Sequence, residues 1–136
     1  MKIHKLIETE NVYLDLAATG LESALTAVAE AFAPTVGLAP AGVVESLLER
    51  ERLGSTSVGE GFAIPHCKTQ GLGQIAIALA RFADQVPFDR DGRDPVRFVF
   101  VVLSPPDQPA AHLQVLAAVS RWMSARCSSL PEGRST

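Results

Sequence analysis

A histidine stands at position 66 in the run GEGFAIPHCK, Gly59–Lys68. It follows a proline and a short apolar stretch, and two glycines precede that stretch. A nucleophilic histidine needs one ring nitrogen free and the other pinned by a hydrogen bond that selects the tautomer. A stiff Ile64–Pro65 approach, placing His66 at the end of a strand, suits that requirement. Nearby glycines let backbone N–H groups come close to a phosphoryl group. Just upstream stand Arg50 and Arg52, then Ser55, Thr56 and Ser57. Guanidinium and hydroxyl donors are what a phosphoryl dianion requires.

The elements that must hold these groups are legible from spacing. VYLDL, Val12–Leu16, alternates Val12, Leu14 and Leu16 against Tyr13 and Asp15, which predicts a strand with one buried face. Thr19 and Glu22 are spaced as a capping box for a helix. Its stripe is Leu21, Ala24, Leu25, Val28, Ala29 and Phe32, and Pro34 is expected to stop it. A second helix starts near Pro40, with Val43, Val44, Leu47 and Leu48 as its apolar stripe and Gly54 as a left-handed C-cap. Residues 55–71 hold three glycines, one proline and four Ser/Thr, and break all periodicity, so they read as a functional loop. Gln74–Phe82 and Val96–Leu103 read as strands. The second is nearly continuously apolar and is placed centrally. The Asp-, Arg- and Gly-rich segment between them reads as a surface turn. Ser104–Pro109 opens a third helix, with His112, Val115, Leu116, Val119, Trp122 and Met123 along one face. The order β-α-α-loop-β-β-α predicts an α/β domain, a mixed central sheet flanked by helices.

Composition narrows the function classes. A length of 136 residues suits one domain over 1–136, and 47% hydrophobic residues supply a core. The formal charge is −3, split −4 over residues 1–68 (five basic, nine acidic) and +1 over 69–136 (seven basic, six acidic). Neither half is basic enough to attract a nucleic-acid backbone. Two cysteines, Cys67 and Cys127, do not make a disulfide framework, which points to a reducing, cytoplasmic setting. The N-terminal run lacks the apolar core of a signal peptide, and no stretch approaches the roughly 18 apolar residues of a membrane span.

The run RERLGSTSVGEGFAIPH, Arg50–His66, resembles the signature of phosphotransferase-system EIIA domains of the mannitol/fructose and nitrogen-regulatory type. Within that group it is most similar to the nitrogen-regulatory branch. The resemblance extends to ENVYLDL, to FVFVVLSPPDQPAAHLQVLAAVS and to the spacing between His66 and His112, covering roughly residues 8–125. It implies the mannitol-EIIA type of fold and a phosphotransferase carrier. The phosphoryl group passes onto His66 from the phosphohistidine of an HPr-like carrier. It assigns supporting roles to Arg50 and His112, and phosphoryl-binding roles to Ser55 and Thr56. It implies no metal or other cofactor for this step. The next partner is a regulatory protein target in the nitrogen branch, or an EIIB domain in sugar transport. A regulatory role is preferred, because the chain has no EIIB-like loop and no membrane segment. A non-catalytic regulatory binding module is the alternative of another class.

Blander readings stand beside these. His112 on an apolar helix face suits a core histidine, and Arg50 in the ERER run suits a solvated charge. Ser55 and Thr56 suit a simple turn after Gly54. His4 reads as a tail residue. Cys67, where the family usually has glycine, reads as incidental, and Trp122 as packing. A zinc site of His66, Cys67 and His112 has suitable ligand types, but adjacent His and Cys seldom chelate one metal and no fourth ligand is evident. A hydrolase using Ser55 or Ser57 with His66 lacks a nucleophile elbow and an orienting carboxylate. After about residue 126 the chain departs from the family pattern. CSSLPEGRST, residues 127–136, is expected to be frayed, leaving apolar surface near Trp122 and Met123 open to self-association.

Overall fold

The structure, a computed structural model, describes residues 11–88 and 95–129. Its elements in chain order are β1 (Val12–Leu16), α1 (Leu21–Phe32), a 3-10 turn (Ala33–Val36), α2 (Pro40–Leu53), β2 (Ser57–Gly59), β3 (Phe62–Ala63), β4 (His66–Lys68), β5 (Ala76–Val86), β6 (Val96–Ser104) and α3 (Pro109–Ser129). The strands form one mixed sheet of order β1-β5-β6-β3-β2, with β4 also paired to β6. β5 runs antiparallel to β6, whereas β3 and β4 run parallel to it.

Successive residues of a strand face opposite sides, and β6 uses this to join two cores. Val99, Val101 and Leu103 pack with Leu25, Val28 and Phe32 of α1 and Val43 and Leu47 of α2. Phe100 and Val102 pack with Val115, Val119 and Met123 of α3. The sheet is therefore covered by α1 and α2 on one face and by α3 on the other. Both faces of β6 are buried from Val99 to Ser104, as its unbroken apolar run predicts.

Several local expectations are corrected. β1 does not bury Val12, Leu14 and Leu16 together. Leu14 is 57% exposed, while Tyr13 and Leu16 pack on the core. Asp15 has φ +60°, and the β1–β5 register shifts between Tyr13 and Leu16, so the two-residue period is lost at this irregularity. The cap of α1 is Gly20, not Thr19, and Ser23 replaces Glu22 as the reciprocal partner. Ser23 Oγ accepts the Gly20 N–H at 3.1 Å and the Thr19 N–H at 2.9 Å. Pro34 does not end the helical path at once. It enters a 3-10 turn, where a missing N–H is tolerated, and Gly37 at φ +75° ends it. Gly54 caps α2 as expected in place but not in conformation, with φ +157° and ψ 142°.

Residues 55–71 are not one loop, because β2, β3 and β4 lie within them. Phe62 pairs with Phe98, Ala63 with Val99, His66 with Val102 and Lys68 with Ser104, all at one constant offset. β3 and β4 are thus one rail along β6, interrupted at Ile64–Pro65. Each piece is too short and too mixed in polarity to show a period.

α3 continues to Ser129, so Cys127–Ser129 are helical rather than frayed. Met123 is buried against the sheet, and the half-buried Trp122 lies edge-on to Phe100 at 5.2 Å, so part of the apolar surface expected to be open there is covered by the chain's own sheet. Residues 130–136, His4 with the N-terminal run, and residues 89–94 of the turn between β5 and β6 fall outside the described residues. No helix among the described residues is long and apolar enough to cross a membrane.

Candidate functional site around His66

Pro65 lacks an N–H, and its carbonyl accepts the Val102 N–H at 3.0 Å, locking the rail to β6 just before His66. Ile64 turns its backbone the other way. Its N–H donates to the Thr56 carbonyl at 3.1 Å, and its carbonyl accepts from His66 Nδ1 at 2.7 Å. A carbonyl can only accept, so the Nδ1 of His66 carries the proton and Nε2 holds the lone pair. The Arg50 Nε–H donates to that Nε2 at 3.3 Å, and the Arg50 Nη1 donates to the Gly54 carbonyl at 3.0 Å. Arg50 therefore belongs to the site and is not a purely solvated charge.

His66 shares a sheet face with its register partner Val102, which packs toward α3. This brings in His112 from the first turns of α3, with ring centroids 5.5 Å apart and planes tilted by 53°. His112 is buried, and its Nδ1 is 2.5 Å from Ser104 Oγ. Burial, followed by the nearby His66 and Lys68, holds the His112 pKa below the ordinary histidine value.

Cys67 faces the opposite core with its partner Leu103. Its Sγ contacts Thr69 Oγ1 at 3.3 Å, and burial pushes the thiol pKa up, opposed in part by that contact. Strand alternation thus separates Cys67 from His66 and His112, so these three side chains do not converge on a metal. Among the described residues no set of three His, Cys, Asp or Glu side chains gathers as a metal site.

Ser55 and Thr56 follow the end of α2. Ser55 is exposed, and its Oγ accepts the Ser57 N–H at 3.1 Å. Thr56 is buried, and its hydroxyl is held by a short hydrogen bond to the carboxylate of Glu51, which also accepts the Thr56 N–H at 3.1 Å. The hydroxyl of Thr56, a side chain expected to bind phosphoryl, is thus tied to the preceding helix α2. Glu51 is a residue the sequence reading missed. Val43, Leu47 and Glu51 recur every four positions and are the buried residues of α2, so the stripe itself was the signal. Ser104 was missed as well, and nothing in its local pattern marks it.

A family model described as "Phosphoenolpyruvate-dependent sugar phosphotransferase system, EIIA 2" matches residues 5–126. A nitrogen regulatory protein of Bradyrhizobium diazoefficiens is 36% identical over 90% of this chain and 80% of its own length. A fructose-specific EIIA component of Haloferax volcanii is 40% identical over 57% of this chain and 51% of its own length. The crystal structure of the nitrogen regulatory protein IIA-Ntr from Neisseria meningitidis superposes with a TM-score of 0.80 at 31% identity, covering 90% of this chain and 84% of that one. The mannitol IIA of Escherichia coli shares the fold, with a TM-score of 0.70 at 23% identity over 84% of this chain and 80% of that one.

Proposed function

The chain belongs to the EIIA type-2 family of the phosphoenolpyruvate-dependent sugar phosphotransferase system, and on that premise we propose that it carries a phosphoryl group on Nε2 of His66. The observation that supports this most is the 2.7 Å bond from His66 Nδ1 to the Ile64 carbonyl, which leaves Nε2 as the only nucleophilic ring atom. The donor is the phosphohistidine of an HPr-like carrier. Nε2 attacks phosphorus in line, the new N–P bond forms as the donor's N–P bond breaks, and the electron pair returns to the donor ring. One phosphoramidate replaces another, so positioning and charge stabilisation carry the catalysis. The Arg50 guanidinium already lies against Nε2 and would meet the incoming oxygens. His112 stands beside the ring, and the Ser55 hydroxyl lies at the rim. Thr56 supports the turn through Glu51. No metal ion or nucleotide enters the step.

Exposed apolar residues border these elements: Leu53 ends α2, Val58 lies in β2 and Leu113 follows His112. Such a rim suits docking of a protein donor and, in turn, a protein target. Similarity to nitrogen regulatory proteins across most of the chain favours a cytoplasmic regulator that binds its targets according to phosphorylation state. The likeness to a fructose-specific EIIA component favours a second reading, passage of the phosphoryl group to an EIIB protein.

The test is incubation with phosphoenolpyruvate, the first enzyme of the relay and an HPr-like protein, followed by intact-mass measurement. The wild type should gain one acid-labile phosphoryl group, and the His66→Ala variant none while keeping its fold. Full acceptance by the alanine variant would end this reading. Efficient transfer onward to a sugar-specific EIIB would decide for the second.

A further inference from the structure

We propose that Ser104 is a positioning residue for phosphoryl transfer: its buried hydroxyl sets the tautomer of His112, so that His112 presents an N–H to the group moving onto His66. The proposal rests on the reading of His66 as the acceptor.

Ser104 closes β6 and has 0% exposure. A hydroxyl shut away from water must find an acceptor for its proton. Among the described residues Ser104 Oγ has a single partner, the Nδ1 of His112 at 2.5 Å. Two proton arrangements fit that distance. If Nδ1 carried the proton and donated to Oγ, the serine's own proton would be left without an acceptor. If the hydroxyl donates to Nδ1, both groups are satisfied. The second arrangement leaves Nδ1 bare and puts the ring proton on Nε2, at the other side of the imidazole. Burial, with His66 and Lys68 nearby, favours the neutral ring, the state with one proton to place.

The Ile64 carbonyl selects the opposite tautomer in His66, with Nδ1 protonated and Nε2 bare. With their centroids 5.5 Å apart, the two rings then offer one lone pair and one N–H donor. Attack on phosphorus needs the first, and charge gathering on the phosphoryl oxygens needs the second. Ser104 is also tied to the rail that bears His66. It pairs in register with Lys68, and its carbonyl accepts the Thr69 N–H at 2.7 Å. The hydroxyl that orients one histidine is therefore held by the strand that carries the other.

Long-range proton–nitrogen NMR of the nitrogen-15-labelled full chain, above the usual histidine pKa, reads the tautomers directly. The wild type should show His112 with Nδ1 bare and Nε2 protonated, and His66 with the reverse. Ser104→Ala should shift His112 toward a mixture, and Ser104→Thr, which keeps the hydroxyl, should preserve the wild-type pattern. In single-turnover transfer from a phosphorylated HPr-like carrier, Ser104→Ala should lower the maximal rate about fivefold to tenfold, the scale of one net hydrogen bond. Half-saturation by the carrier should stay unchanged, Ser104→Thr should restore the rate, and Ser104→Ala should add nothing to the loss in His112→Ala. A wild-type His112 protonated on Nδ1, full-rate transfer by Ser104→Ala, or an additive loss in the double variant would each overturn the assignment. The wild-type spectrum needs neither donor nor variant. A chain that accepted no phosphoryl group would therefore refute the carrier reading, while the tautomer would still decide the role of Ser104.

Discussion

Arg50 and His112 meet His66 from different layers of the fold, and they differ in what they offer. The Arg50 Nε–H lies on Nε2 of His66 itself, while its Nη1 is anchored on the Gly54 carbonyl. That double use suits a planar fork of donors rather than a point charge. Arg50→Ala and His112→Ala are each expected to slow transfer by about a hundredfold, as loss of one charge-stabilising donor does, without removing the acceptor. Arg50→Lys should recover only part of the loss, because an ammonium cannot reproduce both bonds. Rapid-quench measurement of phosphoryl transfer checks all three. Wild-type rates in both alanine variants would make these residues structural. The proposed chemistry assigns no role to Cys67, which lies in the core on the far face of β4, where burial pushes its thiol pKa up.

At the scale of elements, the end of α2 and the turn after it form one unit. Glu51 is buried in the last turn of the helix and collects both the N–H and the hydroxyl of Thr56. The Thr56 carbonyl then accepts the Ile64 N–H, whose own carbonyl orients His66. A chain of hydrogen bonds thus runs from the helix to His66. Glu51→Gln supplies one acceptor oxygen where the carboxylate supplies two, leaving a buried donor unpaired. It is expected to destabilise the domain by about 1–3 kcal/mol and to slow transfer. Urea denaturation read alongside transfer rates tests this. Unchanged stability would show that the Glu51–Thr56 bonds carry no weight in solution.

At the scale of the whole molecule, the sheet is the mechanical frame. β6 bears the rail that carries His66 on one edge and ends in Ser104 under His112, while α3 packs its lower turns on the same face. Met123 sits in that contact at 2% exposure. Met123→Ala is expected to cost about 2–5 kcal/mol, the usual penalty for truncating a buried side chain, and to leave the association state unchanged. Thermal melting with light scattering checks both outcomes. A variant of full stability with a reduced assembly size would instead place Met123 in a contact between copies.

What the chain's own residues determined is the part of the protein written in local periods and in a contiguous motif. The stripes of α1, α2 and α3 and the apolar run of β6 are visible because helix and strand impose repeats of 3.6 and 2 on any element with a buried face. His66 stood out as a candidate because the Ile64–Pro65 step that supports it is adjacent in the sequence. Tertiary structure alone decided the rest. β3 and β4 exist only as ladders against β6, and two- and three-residue strands have no period to read. The hold of Glu51 on the Thr56 hydroxyl, five positions on, shows in no local pattern. Ser104 and His112 come into contact only because β6 ends beneath the first turns of α3. Contacts of this kind depend on which faces the packed layers bring together, and no spacing along a single element encodes them.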